Sequence, residues 1–245
     1  EVLRAAPGIF LRASRYRAFL WAACWFGFAT TAIPPFCIYF LRVEAHISPG
    51  DVVLFTTMQY TGVMLMAWLV RGELDRRGAR PFFFAATIVY AAVAAFWLAL
   101  LVFRFDASGY LPFVFLAIGL GYTLWAATYP SHLPSIIPED NRPLVLSIYS
   151  ASTAFCSGLG SVLWGLVLKT GGETPGMDLG WFLVFFGFVG GSMGVLVLLL
   201  RRFEYPPGRR EPIQLGSLLL QPQRAFGFFL NLVDTSLARE DGERR

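Results

Sequence analysis

Charge divides this chain into segments. Six stretches contain no Asp, Glu, Lys or Arg: residues 18–41, 52–70, 81–103, 107–138, 143–168 and 179–200. They are 24, 19, 23, 32, 26 and 22 residues long. Each reaches the ~18–20 apolar residues that a helix needs to cross the hydrocarbon core of a bilayer. The fourth is too long for one span, and its ends at Ser108-Gly109 and Pro134 to Pro138 read as loops. Six spans follow, near 18–41, 52–70, 81–103, 110–131, 144–168 and 179–200. Inside a bilayer every backbone group must be satisfied within its own segment, so the expected fold class is an all-α membrane protein of six transmembrane helices.

Composition agrees. Of 245 residues, 56% are hydrophobic and 15% charged, against roughly 25% charged in soluble domains. A soluble globular domain, a disordered chain and a disulfide scaffold are excluded. Cys24, Cys37 and Cys156 all lie in apolar windows, where they read as small buried hydrophobes.

The basic residues orient the bundle. Segments 1–17, 71–80, 132–143 and 201–245 hold 17 of the 20 Lys and Arg. The opposite loops hold only Arg42, Arg104 and Lys169. The positive-inside rule then puts both termini in the cytoplasm of a multi-pass cell-membrane protein. Residues 1–17 read as a cytoplasmic linker, 18–200 as the six-helix bundle and 201–245 as a cytoplasmic tail. In the tail, Phe226, Phe229, Leu230, Val233 and Leu237 follow helical spacing, which predicts an amphipathic surface helix.

Within the spans, Pro34-Pro35 predicts a kink in the outer half of the first. Small residues recur at fours, as in Ala117-x-x-x-Gly121, Ser157-x-x-x-Ser161-x-x-x-Gly165, Gly187-x-x-x-Gly191 and Gly190-x-x-x-Gly194. That spacing lets helices approach closely within one bundle. The spans divide as three plus three, with Ala67-Trp68-Leu69-Val70 faintly echoed in Leu163-Trp164-Gly165-Leu166. Inverted three-helix repeats are a common transporter plan.

Enzymatic chemistry has little to stand on. His46 and His132 fall at opposite faces and away from the cysteines, so no metal site, cofactor or catalytic residue is expected. The arginines are explained by topology, and no nucleic-acid partner is expected.

One loop carries a specific pattern: Arg71-Gly-Glu-Leu-Asp-Arg-Arg-Gly-Ala-Arg-Pro81. It resembles the signature loop of the major facilitator superfamily, approximately G-x-L-x-D-R-x-G-x-R-P, in the form usual in the second half of those chains. Asp75, Arg76, Gly78, Arg80 and Pro81 match; Arg71 and Glu73 replace the first Gly and the Leu. Tyr16-Arg17-Ala18-Phe19-Leu20 looks like the start of that family's seventh helix. Tyr129-Pro130 followed by Pro138-Glu139-Asp140-Asn141-Arg142-Pro143 is similar to its fourth- and tenth-helix endings, with Ser135 where an acid is frequent.

The resemblance implies half of a major-facilitator fold, the C-terminal six helices of a secondary transporter of a small solute, with an N-terminal half or a second copy as partner in the lipid bilayer. It implies a cytoplasmic latch of Asp75, Arg76, Gly78, Arg80, Glu139 and Arg142, in which the arginines pair with Asp75, Glu73 or Glu139. It also implies a midplane cavity lined by the first, second, fourth and fifth spans. Polar or aromatic residues at that depth are Trp25, Thr30, Thr31, Gln59, Tyr60, Tyr122, Thr123, Trp125, Tyr149, Ser150 and Thr153. Gln59, Tyr149, Trp25, Thr153 and Trp125 are the candidate substrate contacts. Gln59 leads because a full amide in hydrocarbon is costly without partners. The alternatives are a stand-alone six-helix carrier that dimerises, or a non-transporting membrane scaffold or enzyme.

Overall fold

A computed structural model describes residues 14–43, 46–70, 73–137, 142–171 and 179–203. Among them, eight helices follow in order: α1 (Ser14–Thr30), α2 (Ile33–Val43), α3 (Pro49–Val70), α4 (Glu73–Arg77), α5 (Arg80–Phe103), α6 (Leu111–Ile136), α7 (Arg142–Gly171) and α8 (Leu179–Arg201). α1 and α2 together make one span, Arg15–Val43, and α3, α5, α6, α7 and α8 supply five more. The chain is thus a helical membrane protein with six candidate spans. The expected linker before residue 14 and the tail helix beyond residue 203 lie outside the described residues.

Local sequence sets the helix ends. The Ser48 Oγ accepts the Asp51 backbone N–H at 3.2 Å and donates to the Asp51 carboxylate at 2.7 Å, capping α3 at Pro49. Gly78 closes α4 in the left-handed region (φ 74°), its N–H donating to the Leu74 carbonyl at 2.9 Å. Arg80-Pro81 then opens α5, where a proline loses no hydrogen bond. In the turn before α6, the Ser108 N–H donates to Asp106 at 3.0 Å and holds that carboxyl below its usual range.

Two proline sites shape the spans. α6 runs to Ile136 through Pro130 and Pro134, well past the predicted end at 131. Leaving the helix there would strand several backbone groups near hydrocarbon, whereas each proline forfeits one hydrogen bond. Before Pro34-Pro35, where the sequence predicts a kink, the helix is interrupted for two residues. α1 ends at Thr30, two residues form a turn, and α2 restarts at Ile33.

The packing has an internal symmetry. Take the first triplet as α1–α2, α3 and α5, and the second as α6, α7 and α8. The second helix of each triplet packs on the first helix of the other, α3 on α6 and α7 on α1. The third helix of each also packs on the first of the other, α5 on α6 and α8 on α1, while α5 and α8 meet each other. Exchanging the triplets maps the pattern onto itself. An odd number of crossings per triplet makes the two copies inverted, as the three-plus-three division predicts.

Close approach at these pairs rests on four glycines. A methyl group on Gly119 would strike the Gln59 carbonyl oxygen, and one on Gly62 the Leu116 carbonyl oxygen, at the α3–α6 crossing. At the α1–α7 crossing, Gly27 faces the Ser157 hydroxyl and Gly160 the Phe28 carbonyl oxygen. The span-six repeat does not act this way: a methyl group on Gly187, Gly191 or Gly194 would meet nothing within 4 Å on another helix among the described residues, and one on Gly190 would only just touch Ala94. A four-residue spacing marks a smooth face without saying which neighbour covers it.

Aromatic stacking fills the other side of the bundle. Phe36 stacks on Phe185 with ring centroids 4.1 Å apart, and Trp97 on Phe186 at 5.3 Å, joining α2, α5 and α8. Burial is uneven. Only 17% of the α3 span and 6% of the α7 span are buried, against 39–56% of the other four. α3 and α7 therefore present bare faces.

Candidate functional site

A cavity of about 460 Å³ opens between α1, α3, α6 and α7. This is a usual size for a small-molecule site. Its depth follows from residue positions. Gln59 stands at the middle of Pro49–Val70, Tyr122 at the middle of Leu111–Pro134 and Thr153 at the middle of Arg142–Val167. Thr30 stands at the middle of the broken span Arg15–Val43. Four helix midpoints converge, so the cavity lies half-way across the bundle.

Its wall is aromatic and polar but uncharged. Phe26, Tyr90, Tyr122, Trp125, Tyr129 and Tyr149 supply rings; Thr30, Thr31, Gln59, Ser150, Thr153 and Ser157 supply polar groups. None of the described lining residues is ionisable at neutral pH. Rings are locked against one another: Phe26 stacks on Trp125 at 4.0 Å and Tyr129 on Tyr149 at 5.0 Å. Tyr16 ties α1 to α7 below them, donating to the Val145 carbonyl at 3.0 Å.

Hydrogen-bond direction adds a bias. Thr30 donates its hydroxyl to the Phe26 carbonyl at 2.8 Å, Thr31 to the Gly27 carbonyl at 2.7 Å, and Thr153 to the Tyr149 carbonyl at 2.8 Å. These three hydroxyls spend their only proton within the helix and keep oxygen lone pairs. The helix break adds more acceptors. Pro34 and Pro35 carry no N–H for the Thr30 and Thr31 carbonyls, the i−4 positions that an unbroken helix would serve. Irregular backbone at membrane depth is tolerated where it borders a cavity, and Thr30, Thr31 and Pro34 line this one. Gln59 adds an amide N–H₂ donor to the same wall.

The structure thus groups eight of the residues singled out by depth and polarity: Thr30, Thr31, Gln59, Tyr122, Trp125, Tyr149, Ser150 and Thr153. It leaves three elsewhere. The Trp25 ring packs against Phe28 and Phe188, Tyr60 is 65% exposed, and Thr123 is buried at the α3–α6 crossing, 3.0 Å from the Gly119 carbonyl. Lining residues that polarity alone missed include Phe26, Tyr90 and Ser157. Ser157 stood only in the small-residue pattern, and Tyr90 lies on a span that was not expected at the cavity.

The loop between α3 and α5 is built around Gly78. Glu73 accepts from the Arg77 Nε at 2.8 Å, a pair within α4 that the loop pattern did not single out. The Arg80 guanidinium lies 5.8 Å from the Phe84 ring centre, and Arg142 opens α7. The side chains of Asp75 and Arg76, and residue Glu139, lie outside the described residues.

The sequence matches the family model of the Major Facilitator Superfamily over residues 19–235. The chain belongs to the major facilitator superfamily. Members of this superfamily are membrane transporters, and the match runs across all six spans and the cavity between them. No curated protein and no solved structure matches the chain.

Proposed function

We propose that this major-facilitator chain is the C-terminal six-helix half of a secondary transporter, moving a small solute by alternating access, and that the mid-depth cavity is its share of the substrate site. The observation that carries the reading is which spans line the cavity. Gln59 of α3 and Tyr149, Ser150, Thr153 and Ser157 of α7 line it, and these are the two spans with the least burial, which supports a partner that packs on them and completes the site. A second six-helix half meets that requirement; a second copy of this chain meets it too. Rocking of one half against the other then exposes the cavity to each face in turn.

The wall suits an uncharged or cationic solute with a ring or flat apolar face and hydrogen-bond donors of its own. Rings accept flat surfaces and cations, and the Thr and backbone oxygens accept protons. Gln59 orients the solute, with Tyr149, Trp125 and Thr153 around it. In this reading both termini face the cytoplasm. Asp75, Arg76, Gly78, Arg80, Glu139 and Arg142 form a latch on that face, holding one conformation and releasing the other.

Solute content of cells expressing the full-length protein, compared with cells expressing Gln59→Leu or Thr153→Val at equal level, tests the proposal. The expected result is a change in one class of solute with the parent protein that both variants abolish. Identical solute profiles for parent and variants would contradict it.

A further inference from the structure

A second cavity, of about 310 Å³, lies where the ends of α1, α6 and α8 meet. It is lined by different residues from the mid-depth site, and one ring pair separates the two: Phe19 in its wall stacks on Tyr149 of that site with centroids 5.9 Å apart. Arg15 stands at the first turn of α1, His132 and Ile136 in the last turns of α6, and Arg202 one residue past α8. Three span ends on one face of the bundle place the cavity at the level of the lipid headgroups.

Its chemistry is split by depth. Arg15 and Arg202 are exposed at the rim, on two different helices. Below them the wall is apolar, formed by Phe19, Leu199, Ile136 and Phe203. The floor is made of packed rings: the Phe19 ring meets the His132 ring edge-on at 5.0 Å, and the Phe83 ring meets it edge-on at 5.8 Å. Phe203 folds back on Phe19 with centroids 6.2 Å apart, so the chain just after α8 forms one side of the cavity.

We propose that this cavity binds the phosphate headgroup of an anionic phospholipid. Two guanidiniums from separate helices line one cavity, and guanidinium is the side-chain group best suited to the oxygens of a phosphodiester. The apolar wall takes the glycerol and the first methylenes of an acyl chain, which a free phosphate ion would leave unused. A topological explanation of these arginines requires only that they sit on this face; it does not require them to flank a walled cavity. Basic pockets between spans on the cytoplasmic side are a recognised form of acidic-lipid site. The bound lipid would tie α1, the broken span, to the end of α8.

The test uses the full-length protein in nanodiscs of phosphatidylcholine alone or of equal parts phosphatidylcholine and phosphatidylglycerol, with native mass spectrometry of the released protein. Phosphatidylglycerol is expected to be retained over phosphatidylcholine by roughly tenfold or more. The double variant Arg15→Gln, Arg202→Gln should bring that ratio to unity. Ala18 also lines the cavity; Ala18→Trp keeps both charges and fills it, and should also abolish the preference. Three outcomes overturn the proposal: no preference in the parent, a preference unchanged in both variants, or binding of inorganic phosphate that depends on the two arginines without any preference among lipids. The last would reassign the cavity to a free anion. Circular dichroism of both variants separates loss of lipid from loss of fold.

Discussion

At the residue scale, Gln59 carries the strongest expectation. It places a donor and an acceptor at the middle of α3, beside a cavity otherwise rich in acceptors. Gln59→Leu should lower transport of the native solute at least tenfold, the loss expected when a buried polar contact to substrate is removed, while leaving thermal stability near the parent's. Uptake and melting measured on one preparation check this. Ser192 offers the converse case. Its hydroxyl is buried and has no hydrogen-bond partner among the described residues. Ser192→Ala should therefore be neutral or stabilising by up to about 1 kcal/mol, read as a midpoint shift in denaturant. Residue identity was largely legible from sequence because a Gln, Thr or Tyr within an apolar window is conspicuous. Position around the helix axis was not. Trp25 and Phe26 share one depth, yet Phe26 faces the cavity and Trp25 packs on Phe188. In lipid both faces of a span are apolar, so hydrophobic periodicity does not report rotation.

At the element scale, the two glycine-mediated crossings fix where the four cavity helices stand. Gly119→Ala or Gly62→Ala drives a methyl group into a backbone carbonyl that has no rotamer to retreat into. Each should destabilise by about 1–3 kcal/mol, whereas Gly191→Ala, in open space, should change the melting midpoint little. The contrast separates contact from composition, since all three are glycines within spans. Of the small residues in the sequence pattern, Gly187, Gly191 and Gly194 face open space, while Gly121 packs on the Tyr90 ring and Ser157 on Gly27; the contacts at Gly62, Gly119 and Gly160 lie outside that pattern. Small-residue spacing identifies helices able to approach closely; the fold decides which do. The α1–α2 break was legible from Pro34-Pro35, and its extent follows from two adjacent missing N–H groups. In the loop, Gly78 at φ 74° makes Gly78→Ala unfavourable by roughly 1–2 kcal/mol, expected as a lower melting midpoint.

At the scale of the whole molecule, six spans, their order and their inversion were all encoded in where charges are absent. The pairing of triplets was not, because each span is long enough to pack on any neighbour. Asp75→Asn should slow transport without reducing expression if the loop acts as a latch; unaltered rates would leave Gly78 as a turn residue alone. The central claim is that the mid-depth cavity is wetted from each side in turn. Thiol accessibility measures this directly, in a background with Cys24, Cys37 and Cys156 replaced. Cysteines would be placed singly at Thr30, Tyr122, Thr153 and, as a lipid-facing control on α8, Leu198. A membrane-impermeant reagent should modify the three cavity positions from either face of the bilayer, with rates that change when solute is bound, and should leave Leu198→Cys unmodified. Cavity positions as unreactive as Leu198→Cys from both faces would contradict the account.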